Sequence, residues 1–453
     1  MSDIALKPAH ELAEAIRRHE LSSRELLDHY LSRVERLNPS LNAVVTQDPE
    51  VARRAADAAD AAVARGEVVG PLHGVPMTIK DTYETAGMRT TCGVAAWDHV
   101  PERDAEAVQR LRQAGSVIFG KTNAPSFASD WQTYNPIFGT TNNPWDTTRT
   151  TGGSSGGAAA ALAAGLTALE LGSDIAGSIR LPSNWCGVCG HKTSWGIVPH
   201  RGHMPPPPGA LAASDLGVMG PMARDVADLE LALDVLAGPA RMPAVGWRLE
   251  LPPARASTLA ELQLAIWLDD PAYPVESEIA TVLASAVAAL EGAGARLVDR
   301  PPPVTLPEVV GLHQELLYPL MQPSSTLRHR DWLSANERRE LLRARMSDYF
   351  RDVDALLMPI AVVPAIPHDH SDPFVDRRIR TTDGSRSYLD LFGWVGLPTV
   401  AYLPATAVPI GRTAGGLPVG VQIVGPYLED RTTLAVARCI EELLGGFVPP
   451  PGV

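Results

Sequence analysis

An α/β fold built on one large sheet and its covering helices is what this sequence predicts, and three observations predict it. Short apolar runs of strand type (75–79, 116–119, 262–267, 355–359, 417–424) alternate with stretches of helical periodicity. Between 262 and 298 the order is strand, helix, strand, the rhythm of a continuing sheet. With 453 residues, 45% of them hydrophobic and 20% charged, the chain can bury a sizeable core around a single sheet.

The elements follow in order. Residues 8–38 read as two amphipathic helices, with Leu12 and Ile16 on the first and Leu26, Leu27, Tyr30, Leu31 and Val34 on the second. Ser22 or Ser23 suits the second N-cap, and Asn38-Pro39 is expected to end it. An alanine-rich helix spans 49–65 and stops at Gly66; these helices pack on the catalytic layer or meet a second copy in a homodimer. A buried strand at 75–79 places Lys80 at its inner end. A helix at 104–114 leads to a strand at 116–119. Gly115–Thr122 matches the phosphate-loop pattern letter for letter. That loop needs a preceding strand and a bare backbone curl, whereas a helix precedes it here and its middle is strand-like, so no nucleotide is expected. Residues 135–146 are turn-rich, Ala158–Leu171 is an apolar helical run, and the prolines 205–208 form an extended loop at the rim of a cleft. A helix opens at Pro221 and ends before Gly238, and 305–350 is helical with a charged, solvated face.

A net charge of −13 argues against nucleic acid or an anionic membrane as partner, since both attract basic patches. The first twenty residues carry charge throughout, no run of eighteen apolar residues occurs, and four cysteines suit a reducing compartment. A cytoplasmic, soluble protein is expected.

Chemistry concentrates at 150–183. Gly152–Gly157 reads Gly-Gly-Ser-Ser-Gly-Gly and Asp174–Arg180 reads Asp-Ile-Ala-Gly-Ser-Ile-Arg, which puts Ser154 and Ser178 in glycine-rich turns at the two ends of the helical run. A flexible linker would not be followed by that run. Upstream, Gly74–Asp81 reads Gly-Val-Pro-Met-Thr-Ile-Lys-Asp. Three motifs in this order resemble the amidase signature family. The likeness covers about 72–223 and resumes at Gly396–Pro398 and Leu417–Pro426. It implies a large, mixed, twisted sheet with helices on both faces, in one domain spanning 1–453. That domain divides into a helical N-terminal part (1–68), a signature core (72–225), a variable part (240–380) and a return to the core (381–445).

The resemblance further implies a triad in which Ser178 is the nucleophile, Ser154 follows a cis peptide and relays protons, and Lys80 is the base. Burial would lower the lysine pKa and so fit it to that role. Backbone N–H groups of Ile175, Ala176, Gly177 and Ser178 would form the oxyanion hole. The family usually carries two glycines before the nucleophile; Ala176 stands at the first of these here, so the acyl-side pocket is expected to be narrower. Asp174 and Arg180 are expected to brace the loop. Cys186 and Cys189, spaced C-x-x-C and followed by His191, His200 and His203, invite comparison with a zinc site, but the second ligand pair lacks the usual spacing. They are expected to be buried thiols, with neither metal nor cofactor needed.

Amide hydrolysis of small, neutral aryl or alkyl substrates, extending to esters and carbamates, is the expected activity. Tyr388, Phe392 and Trp394 would suit such a substrate. Two alternatives stand beside it: the glutaminase subunit of a tRNA-dependent amidotransferase, and an inactive member serving as a scaffold. The intact Lys80, Ser154 and Ser178 speak against the last.

Overall fold

The computed structural model describes residues 4–321, 326–382 and 384–453. Helices α1 (Ala9–Arg17), α2 (Ser23–Leu41) and α3 (Pro49–Ala64) surround a small three-stranded sheet of β1 (Val44–Gln47), β2 (Pro76–Lys80) and β3 (Val117–Thr122), with α4 (Glu106–Gln113) before the last. Ser22 caps α2 in a reciprocal box with Glu25. Contrary to expectation, α2 does not end at Asn38-Pro39. Its last turn closes at Leu41, and Asn42 takes the left-handed conformation, because Asn38 Oδ1 collects the N–H groups of Ala43 and Val44.

The phosphate-loop pattern ends inside β3, which runs on through Gly120, Lys121 and Thr122 as extended chain parallel to β2. Lys121 is buried and donates to Tyr83 O at 2.6 Å and Thr90 Oγ1 at 2.9 Å, beside Asp81.

The second half of the apolar run at 158–171 is not helix. Helix α5 (Gly156–Ala163) stops before Gly165, whose φ is +61°, and Glu170–Asp174 form strand β4. Ser178 therefore lies beyond a strand and not at the helix end. Next come α6 (Arg180–Cys186), β5 (Cys189–Lys192), β6 (Val218–Ala223) and α7 (Val226–Leu236). Helix α7 starts five residues later than Pro221 because Pro221–Ala223 pair in the sheet and Asp225 caps the helix.

Then follow β7 (Gln263–Ile266), α8 (Ser277–Gly292), β8 (Arg296–Asp299), α9 (Leu306–Met321), α10 (His329–Tyr349) and β9 (Ala355–Pro359). Residues 322–325, part of the helical stretch expected at 305–350, lie outside the described residues. The chain closes with α11 (Phe392–Val400), β10 (Ala405–Arg412), β11 (Pro418–Val424) and α12 (Asp430–Leu444).

One eight-stranded sheet, ordered β8-β7-β9-β11-β10-β5-β6-β4, carries these elements. Strands β7, β8 and β9 are mutually parallel, and the other neighbours are antiparallel, so the sheet is mixed. Its side chains alternate between two apolar clusters. Ala355 and Leu357 join α7, α8 and α12 on one face, whereas Leu356 and Met358 join α9, α10 and α11 on the other. Among the described residues, no helix is long and apolar enough to cross a membrane.

Candidate functional site

Lys80 ends β2, where that strand lies against β4, and is buried. Its Nζ is 2.7 Å from Ser154 Oγ, 3.0 Å from Ser155 Oγ and 3.0 Å from Ser173 Oγ. Three hydroxyls, and among the described residues no carboxylate in contact, thus receive the amine. Burial pushes its pKa down to about 7, only partly opposed by Cys92, Asp174 and Glu170 nearby. An amine that gains or loses its proton near neutrality results, a range suited to general-base work.

Ser154 precedes α5 and is joined to Gly153 by a cis peptide. A side chain at 153 could not fit, since its Cβ would lie 2.4 Å from Asp130 O. The Ser155 N–H donates to Ser178 O at 3.1 Å, tying the two serine loops together. Ser178 is nearly buried, and among the described residues its hydroxyl has no hydrogen-bond partner.

The loop from Ile175 to Ser178 is braced as expected by Asp174 and Arg180, which meet at 2.9 Å and 3.0 Å with neither exposed. Burial opposes a charged Asp174, yet the guanidinium and backbone donors hold its carboxyl far below the usual range. Arg180 reaches onward to Val395 O and Gln422 Oε1, each at 3.0 Å, linking the loop to α11 and β11.

One part of the expected oxyanion hole is corrected. The Gly177 N–H points at Asp174 Oδ1, 2.8 Å away, and is already spent. Among the described residues, the N–H groups of Ile175, Ala176 and Ser178 have no acceptor. Gly177 itself has φ +90°, and a Cβ there would lie 2.8 Å from Val395 Cγ1, so glycine is required on both counts.

Two side chains outside the sequence motifs grip this loop: Trp131 Nε1 donates to Ala176 O at 2.7 Å, and His313 Nε2 lies 2.9 Å from Ile175 O. No local signal marks either one. Ser155, within the first serine motif, and Ser173, just ahead of the second, carried no assigned role until the fold put them on Lys80.

The three aromatic candidates separate. Phe392 packs edge-on against Trp131 at 4.6 Å and against His313 at 5.2 Å, beside the loop. Tyr388 is buried and gives its hydroxyl to Asp130 at 2.7 Å. Trp394 belongs to the core instead: it is buried against Trp267, and its N–H donates to Tyr273 O at 3.0 Å. Arg377 spends Nη1 on Asp130, Nη2 on the Tyr134 hydroxyl and Nε on Ser371 O. Asp390 is paired with Arg386 at 2.7 Å.

Cys186 and Cys189 face apart, the first towards Thr151 O and the second towards Arg224 O and Glu441, and burial pushes both thiols up. His191 sits between Asp430 and Thr406, and His203 packs on Tyr83. The histidine and carboxylates that do gather among the described residues are His10, Asp225 and Asp228. Asp228 there accepts the N–H groups of Ala9 and His10, the first turn of α1.

The family model for amidases matches residues 25–318 and 305–434. The A subunit of glutamyl-tRNA(Gln) amidotransferase from Moorella thermoacetica is 33% identical, over 96% of this chain and 96% of that protein. A solved amidase superposes with a TM-score of 0.81 at 29% identity, covering 97% of this chain and 100% of that one. The A subunit of the Thermotoga maritima glutamyl-tRNA(Gln) amidotransferase does so with a TM-score of 0.81 at 25% identity, covering 99% and 98%.

Proposed function

The chain belongs to the amidase (amidase signature) family and is an amidase-signature hydrolase acting on C–N bonds; from that premise we propose that it hydrolyses small, neutral aryl or alkyl amides through an acyl-enzyme on Ser178. Esters and carbamates pass through the same tetrahedral oxyanion and fall within the same reading. The observation that carries it is the contact of Lys80 Nζ with Ser154 Oγ, made where burial keeps the amine near neutrality.

In this mechanism neutral Lys80 draws the proton of Ser154, which draws that of Ser178, and Ser178 Oγ attacks the amide carbon. The oxyanion meets N–H groups of Ile175, Ala176 and Ser178. Collapse breaks the C–N bond, and the proton held on Lys80 returns through Ser154 to the departing amine. Water then attacks the ester by the same relay and frees Ser178.

Neutral substrates are favoured because charged groups on this side of the site are committed. Asp130 and Arg377 hold each other, and Asp390 holds Arg386, which leaves them poorly placed to receive an ammonium and a carboxylate. Phe392 and Trp131, packed edge to face beside the loop, surround it with apolar side chains instead. A second reading, the glutaminase component of a tRNA-dependent amidotransferase, is favoured by the likeness to the A subunit of glutamyl-tRNA(Gln) amidotransferase over nearly the whole chain. The two separate on the isolated chain. An anilide should be cleaved with a specificity constant at least about 100-fold above that of free glutamine, reflecting polar groups left unmatched. Comparable constants would favour the amidotransferase reading.

A further inference from the structure

We infer that His313, on α9 in the variable part of the chain, is a positioning residue for hydrolysis, aiming the Ala176 N–H at the developing oxyanion. This rests on the hydrolytic reading above, in which that N–H is one of the donors.

The argument begins with the peptide between Ile175 and Ala176. Being planar and trans, it presents its C=O and its N–H in opposite directions, so holding one end aims the other. His313 holds the carbonyl end, with Nε2 at 2.9 Å from Ile175 O. Because a carbonyl only accepts, Nε2 must carry the proton, which leaves Nδ1 as the bare nitrogen. The ring is buried, and burial keeps it neutral with a pKa pulled down to about 4. The following peptide is gripped at both ends, Ala176 O by Trp131 and the Gly177 N–H by Asp174. Of these two peptides, only the Ala176 N–H is left without an acceptor among the described residues.

Packing alone does not account for a histidine at 313. Its neighbours on the buried face of α9 are Val309, Leu312, Leu316 and Leu317. Its Nδ1 is buried with no hydrogen-bond partner among the described residues, a cost that an aliphatic side chain would avoid. Gly396 on α11 lies against the ring: a Cβ there would stand 3.6 Å from Nδ1, in ordinary contact. Phe392 closes the edge of the ring at 5.2 Å. The imidazole is thus locked in one orientation, as a group that must fix another within a fraction of an ångström has to be.

His313→Gln and His313→Asn test this as a matched pair. Both are neutral amides, but only the glutamine amide reaches the place of Nε2, while that of asparagine falls near Nδ1. With p-nitroacetanilide as substrate, the Gln variant should keep kcat within about fivefold of the native value. The Asn variant should lose about 10- to 100-fold in kcat with KM little changed, as expected when a donor acting on the transition state is misaimed. Inhibition by a phenylboronic acid, whose adduct on Ser178 is tetrahedral, should weaken in parallel with kcat. Equal kcat for the two variants, or a loss confined to KM, overturns the inference. If the Asn variant does not fold, His313→Met, similar in length and without a donor, takes its place under the same criteria. Ser178→Ala, assayed alongside, separates the two levels: if it stays active the hydrolytic reading fails, whereas if it is dead and the pair is equal only the role of His313 fails.

Discussion

The signature core and the segment that follows it handle buried polarity in opposite ways. In the core, Lys80, Ser154, Ser155, Ser173, Asp174 and Arg180 are all buried, and hydrogen bonds join the lysine to its three hydroxyls and the carboxylate to its guanidinium. Beyond residue 240, α9 and α11 bring mainly apolar surface, with Phe392, Trp394 and Val395 packed into one cluster. The core can place charge with precision because its ligating groups lie on strand ends and glycine turns that allow close approach. The later segment shapes the space around that charge, and its few polar contacts brace the loop from outside: His313 at Ile175 O, and Val395 O and Gln422 Oε1 on the Arg180 guanidinium. The two regions are therefore expected to respond differently to mutation.

The largest effect should come from the core. Ser178→Ala should lower kcat on the order of 10⁴-fold or more with the fold intact, and labelling by a fluorophosphonate should vanish. Lys80→Ala should lose nearly as much, since members of one catalytic unit fail together and not additively. Ser154→Ala should lose somewhat less, because a water can take the place of its hydroxyl. More than a few per cent of native activity in Ser178→Ala would remove it as nucleophile.

Within the later segment, Trp394 and Phe392 sharpen the contrast between core and pocket wall. Trp394→Ala should cost about 3–5 kcal/mol of stability, seen as a lower Tm, with little change in the ranking of substrates by the enzyme that remains folded. Phe392→Ala should change that ranking, measured as relative kcat/KM for alkyl and aryl amides. The reverse pattern would place Trp394 in the pocket.

The mildest perturbation is pH. Lys80 must be neutral to act, so log kcat/KM should rise with unit slope below about pH 7 and level off above it. The unfolded chain holds that lysine's proton to about pH 10.4, so the cost of burying the charged amine is full below about pH 7 and is relieved as pH rises from there to about pH 10.4, a window above the kinetic one. Lys192 is a built-in control. Burial pulls it down to about 7 as well, but its amine donates to Leu403 O and Thr193 O, outside the triad. Lys192→Gln should leave the kinetic midpoint in place, and a shift of more than about half a unit would move the titration from Lys80 to Lys192.

By itself the sequence determined the α/β class and the family, because glycine turns and the residues they present are local features written in consecutive letters. Asp174 bracing Arg180 was legible for the same reason, the two being only six positions apart. Tertiary structure alone decided the rest. The helical run at 158–171 became helix and then strand, since Glu170–Asp174 found a partner in Val218–Met222 some fifty residues away. Gly177 lost its place among the oxyanion donors to a carboxylate that only the folded loop aims at it. Trp394 went to the core and His313 to the site, although each stands in an apolar helix that periodicity reads alike. Which neighbour a buried side chain meets depends on how distant helices cross the sheet, and helical spacing marks the face that is buried but not what lies against it.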